Sequence, residues 1–175
     1  MQALLDAVAA GELAITIAAV GADREASGLV RARSAGIDTF ILPYNKGDDR
    51  SAWDHRLTEL VGGFEPDLVI SAGFMKLVGA EFLDRFGGRF INTHPSLLPN
   101  FPGAHAVRDT LAAGATMTGC TVFAVDAGVD TGPVIAQEAV PVLPGDDEAT
   151  LHERIKKVER RLLVEVVRNW KDDHE

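Results

Sequence analysis

Residues 67–92 read DLVISAGFMKLVGAEFLDRFGGRFIN, and this stretch decides the fold. The run 67–71 (DLVIS) has the short apolar look of a strand, 78–86 that of a helix, and 89–92 that of a second strand. Strand, helix and strand in succession predict a parallel sheet with helices packed on its faces. Toward the N-terminus the alternation continues. Residues 39–42 read as strand, 24–35 as a helix closed by Gly36, and 14–20 (AITIAAV) as a strand covered on both faces. Residues 2–10 are rich in Ala and Leu and stop at Gly11, a helix C-terminal signal. Arg50–Gly62 carries Trp53, Leu57, Leu60 and Val61 at a spacing that fits one helical face.

Toward the C-terminus the rhythm breaks. Residues 118–125 and 133–142 are extended runs joined by the turn-rich DAGVDTG of 126–132, and a last helix is expected from Asp147 or Glu148 to about Trp170. Its acidic first turn suits the helix dipole. No repeat, low-complexity tract or linker divides the chain, so a single α/β domain over 1–175 is expected. A doubly wound domain usually opens with a strand and a Gly-rich turn. Here a helix comes first and the chain stops in KDDHE, so both ends read as clipped.

Composition narrows the function. The chain of 175 residues is 46% hydrophobic and 25% charged, which excludes wholesale disorder. Its net charge of −9 disfavours nucleic acid as a partner, because that affinity rests on basic side chains against phosphates. One cysteine, Cys120, excludes an intrachain disulfide framework and a Cys-based zinc cage, and no paired-His spacing replaces it, so no metal is expected. No apolar run approaches a membrane span and no basic segment leads an apolar one at Met1. The expectation is a soluble, cytoplasmic domain acting on small molecules, with a homodimer left open. Neither GxxxxGK[ST] nor a strand-placed GxGxxG is present.

Residues 89–103, RFINTHPSLLPNFPG, are the most unusual stretch. A strand runs into a polar turn with Asn92 and His94, and Pro95, Pro99 and Pro102 then stiffen the loop. Ligands of open α/β sheets bind beyond the carboxyl ends of strands, so this is a reasonable catalytic placement. His94 can move a proton near neutral pH, and Asn92 can donate to an oxygen acquiring negative charge. His94 can equally well be a hydrogen-bonded structural residue, and Asn92 more often just satisfies a turn. Asp126 and Asp130 lie on a Gly-rich loop that could face the same strand end, where a carboxylate would orient the ring. Asp130 is the better candidate, because glycines hold it in a turn. The turn after 67–71 (SAGFMKLV) could offer backbone groups to a flat heterocycle, although its apolar residues also suit a core. Cys120 reads as a buried small hydrophobe, His55, His152 and His174 as surface or half-buried positions, and His105 as a possible neighbour of a ligand.

INTHPSLLPNFPG, AGFMKLV and DAGVDTGPVI, in this order and spacing, resemble the phosphoribosylglycinamide formyltransferases. The resemblance runs over essentially the whole chain and implies a Rossmann-like formyltransferase fold. It implies that an amine of the ribonucleotide attacks the formyl carbon of the co-substrate 10-formyltetrahydrofolate. Asn92 and protonated His94 would stabilise the oxyanion, with His94 as proton donor, and Asp130 would pair with His94 and relay the amine's proton through water. The folate would be held by Met75, Lys76, Leu77 and Val78 and by Asn92, Asp126, Ala127, Gly128, Val129 and Asp130, with Arg50 near its acidic tail. Lys156 and Glu159 would meet the ribonucleotide. Two departures accompany the resemblance. Phe123 stands where many relatives carry His, and their first strand with its phosphate loop has no counterpart before Gln2. A formyltetrahydrofolate hydrolase, a methionyl-tRNA formyltransferase-like domain and a non-catalytic folate-binding fragment stay open as rivals.

Overall fold

The computed structural model describes residues 1–170. Helix α1 (Gln2–Ala9) leads to β1 (Ala19–Ala22), α2 (Ser27–Ser34), β2 (Asp38–Ile41), α3 (Arg50–Gly62), β3 (Val69–Ser71), α4 (Ala80–Phe86) and β4 (Phe90–His94). Then come α5 (Ala106–Ala112), the strands β5 (Met117–Ala124) and β6 (Val134–Pro141), and the long helix α6 (Glu148–Asn169). Strands β1 and β2 pair in parallel as one sheet, and a second sheet has the order β3-β4-β5-β6. There β3 and β4 are parallel, whereas β4–β5 and β5–β6 are antiparallel. The α/β class stands, and the strand pairing is mixed rather than mostly parallel. For β5–β6 the cause is the short connection, which permits only a hairpin.

Three local expectations change. The apolar run 14–20 forms ladder bonds only from Ala19, because no strand lies beside residues 14–18 among those described. Ile15 and Ile17 still pack on the core, so the run is apolar for burial without being paired. Helix α5 was not expected, since the preceding proline-rich loop masks the short AVRDTLA segment. Leu60 stays exposed, whereas Trp53 and Leu57 of the same helix are buried. The expectations for His174 and for the chain after Trp170 fall outside the described residues.

Two apolar clusters flank β4. Ile91 belongs to the one built on α6, with Leu151, Ile155, Leu162, Leu163, Val166 and Val167 packed against Cys120, Val122 and Val140. Phe90 belongs to the other, with Trp53, Leu57, Phe82, Phe86 and Leu42. Neighbouring strand residues point to opposite faces, so β4 is covered on both sides and Asn92 and His94 share the Phe90 face. Burial pushes the Cys120 thiol up to about 12, which suits an inert core residue.

Helix α6 starts on a capping box in which Asp147 and Thr150 bond each other's backbone. Just before it, Asp146 takes both guanidinium nitrogens of Arg154, at 2.6 and 2.8 Å. These bonds, with the Leu143 N–H, hold the Asp146 carboxyl far below the usual carboxylate range. A group depressed in the folded state contributes stability above its unfolded pKa of about 4 and loses it as pH falls. Asp146→Asn is therefore expected to lower the melting temperature at pH 7, with the gap to the parent chain narrowing below about pH 4. A gap constant from pH 7 to pH 3 would show that the pair contributes nothing through its charge.

Candidate active site

The carboxyl end of β4 supplies the first two groups. Asn92 Oδ1 accepts the N–H of Thr93 at 2.9 Å. This orients the amide and leaves its Nδ2 donors without a protein partner among the described residues. His94 is 4% exposed, and its Nε2 lies 2.8 Å from the carbonyl of Phe101. A carbonyl only accepts, so Nε2 carries the proton and Nδ1 is the nitrogen left for chemistry.

The loop that brings Phe101 there is stapled to the hairpin. Thr121 Oγ1 donates to the Ser96 carbonyl at 2.7 Å and accepts the Leu98 N–H at 3.1 Å. Gln137 Nε2 donates to the Leu98 carbonyl at 2.8 Å, and Ser96 Oγ to that of Asn100 at 2.5 Å. The Leu98–Pro99 peptide is cis, and Phe101 takes a left-handed φ of +52° that turns its carbonyl toward the imidazole.

The loop between β5 and β6 supplies the carboxylate. Asp130 Oδ2 lies 3.4 Å from His94 Nδ1 and accepts the N–H of Gly103 at 2.7 Å. The side chains of this pair are only 6% and 13% exposed. Acceptors thus face both ring nitrogens. At 3.4 Å the Asp130 contact is longer than a short hydrogen bond, which leaves Nδ1 open to a third atom. The loop is shaped by close approach, since a Cβ on Gly132 would stand 1.8 Å from the Ala124 carbonyl oxygen. Asp126 does not join the pair. Its Oδ1 accepts from Gly128 N–H at 2.9 Å and Thr131 Oγ1 at 2.7 Å, within its own loop. Ala127, Gly128 and Val129 are exposed beside it.

Ser71 of β3 pairs with Asn92, so the turn after β3 leaves the sheet next to the Asn92–His94 end. In that turn Met75 and Leu77 are 74% and 56% exposed, while Lys76 and Val78 are half-buried. Arg50 joins them, its guanidinium donating to the Leu77 carbonyl and lying 5.3 Å from the Tyr44 ring and 5.7 Å from that of Trp53. Lys76 stands 5.7 Å over Tyr44 and 3.8 Å from Asp23. These exposed apolar side chains with nearby cations suit a flat, acidic-tailed ligand.

Lys156 and Glu159 lie on α6, and no contact ties them to the His94–Asp130 pair. Lys156 Nζ is 2.6 Å from Glu153, and Glu159 acts on the Met1 amino group, opposing the burial that lowers it. His105 is exposed at the start of α5, and His55 is exposed in a 2.7 Å pair with Glu81 that raises its pKa. Among the described residues no group of His, Cys, Asp or Glu could hold a metal ion.

Phe101, Gly103, Thr121 and Gln137 escape the sequence reading. Phe101 and Gly103 act through backbone groups, which leave no trace in residue identity, and Thr121 and Gln137 act through the loop they hold. The proline density of 95–102 was the available sign that this loop has a fixed shape.

Residues 1–167 match the family described as formyl transferase. The phosphoribosylglycinamide formyltransferase of Mycobacterium tuberculosis (strain H37Rv) is 53% identical over 167 residues, covering 95% of this chain and 77% of that protein. The Escherichia coli (strain K12) phosphoribosylglycinamide formyltransferase is 38% identical over 171 residues, covering 97% and 80%. The crystal structure of glycinamide ribonucleotide transformylase 1 from Symbiobacterium toebii superposes with a TM-score of 0.94 at 43% identity, covering 98% of this chain and 82% of that one. The match takes in the Asn92–His94 strand end, the Asp130 loop and the turn after β3 together, and the chain belongs to the formyl transferase family.

Proposed function

We propose that this chain moves a formyl group from 10-formyltetrahydrofolate to the amine of 5'-phosphoribosylglycinamide, the acceptor named in its relatives, with Asn92, His94 and Asp130 at the reacting atoms. The observation that carries the reading is the buried His94 ring, held by a carbonyl at Nε2 with Asp130 opposite Nδ1. As the amine nitrogen bonds to the formyl carbon, Asn92 Nδ2 and His94 Nδ1 donate to the oxygen that gains negative charge. Asp130, through water, takes the proton that the amine loses. When the bond from carbon to the folate nitrogen breaks, His94 returns a proton to that nitrogen. The products are the formamide and tetrahydrofolate.

Met75 to Val78, the 126–130 loop and Arg50 hold the folate, and Lys156 and Glu159 meet the ribonucleotide. The exposed apolar side chains at Met75 and Leu77 beside a guanidinium support the first assignment. The whole chain acts as one cytoplasmic domain on small molecules. Among the described residues no helix is long and apolar enough to cross a membrane.

The test follows deformylation of 10-formyltetrahydrofolate by absorbance, with and without the ribonucleotide. Turnover that requires the ribonucleotide is expected. Release of formate at the same rate without it would replace the transferase reading by a hydrolase.

A further inference from the structure

Asp54 is 4% exposed in the middle of α3, and its carboxylate faces no cation among the described residues. A carboxylate buried in this way needs donors. It has two: the Gly79 N–H bonds to Oδ1, and the Phe82 N–H donates to Oδ2 at 3.3 Å. Helix α4 has Gly79 as its N-cap and no side-chain cap of its own, so Asp54 caps it from another helix. Gly79 has room for this only because it lacks a side chain; a Cβ there would stand 2.5 Å from Asp54 Cγ.

Gly79 directly follows the 75–78 turn, and α3 grips that turn at two further points. Phe74 stacks on Trp53 at 6.2 Å with the rings 10° apart, and Arg50 donates to the Leu77 carbonyl. Residues 50, 53 and 54 are spaced i, i+3 and i+4, so they share one helical face. They meet this segment at residues 77, 74 and 79 respectively. The His94 side is held separately, by Thr121 and Gln137 on the hairpin, which Asp54 does not touch.

We propose that Asp54 is a positioning residue for the 75–78 turn, fixing through Gly79 the shape in which this turn binds the formyl folate. The inference rests on the assignment of that turn to the folate.

The experiment measures saturable folate binding to the parent chain, then steady-state kinetics and melting temperatures of Asp54→Ala, Asp54→Asn and Gly79→Ala. Asp54→Ala is expected to raise KM for the formyl folate about tenfold, with KM for the ribonucleotide and kcat at saturating folate within about twofold. Asp54→Asn keeps an acceptor for the Gly79 N–H and should recover most of the folate KM. Gly79→Ala, which leaves the carboxylate in place and pushes the turn off it, should reproduce the Asp54→Ala effect and serves if that variant fails to fold. A uniform rise in both KM values, or a lowered melting temperature with an unchanged folate KM, would overturn the positioning role while leaving the turn's assignment intact. Absence of folate protection at Met75 to Val78 in hydrogen exchange of the saturated parent chain would overturn both.

Discussion

Replacing His94 by alanine is expected to cut ribonucleotide-dependent formyl transfer about a thousandfold, mostly in kcat. One oxyanion donor contributes roughly 10²- to 10³-fold and a positioned general acid roughly 10²- to 10⁴-fold. His94 is assigned both tasks, and groups that act as a unit do not multiply. The loss should not come from unfolding. The ring is buried, yet it is held by one carbonyl and one carboxylate, and the loop that supplies the carbonyl has its own ties to Thr121 and Gln137. Folate KM should therefore move little, and the circular dichroism spectrum should match that of the parent. A rate within tenfold of the parent would remove His94 from the proton and oxyanion roles.

The largest effect on stability is expected from Trp53→Ala. Trp53 is wholly buried, with Tyr44 at 5.2 Å, Phe74 at 6.2 Å and the Arg50 guanidinium at 5.7 Å. Its Nε1 reaches the Leu42 carbonyl at 3.5 Å. Truncating a buried Trp costs about 3–5 kcal/mol, because the surrounding core closes the cavity only in part. For a chain of this size that corresponds to a fall in melting temperature of roughly 10 °C or more. Denaturant melts should show a lower midpoint at unchanged slope. A shift under 2 °C would mean that the Phe82, Phe86 and Phe90 cluster carries this face alone, for which Phe82→Ala would then show the larger loss. The variant should also weaken the 75–78 turn, since Phe74 loses the ring it stacks on.

Much of the architecture is legible along the chain. Residues 67–92 announce strand, helix and strand because burial patterns repeat within a few residues, and α3 and α6 appear at nearly their observed bounds for the same reason. The mixed pairing was harder, because the long connection between β4 and β5 permits either direction, and so was α5, seven residues behind a proline-rich loop. The chemical residue types at the β4 end are equally plain, since Asn92 and His94 lie two apart on one strand face.

The sequence by itself determined the order of elements, the apolar faces and the short list of groups able to handle a proton. Only the tertiary structure decided which of these groups meet. Asp126 turns into its own loop while Asp130 crosses to His94; the Phe101 carbonyl selects the ring nitrogen; Asp54 caps a helix that begins 26 residues later. The physical reason is range. Periodicity and turn chemistry act between neighbours, whereas a hydrogen bond that closes a site joins residues whose separation along the chain no local pattern records.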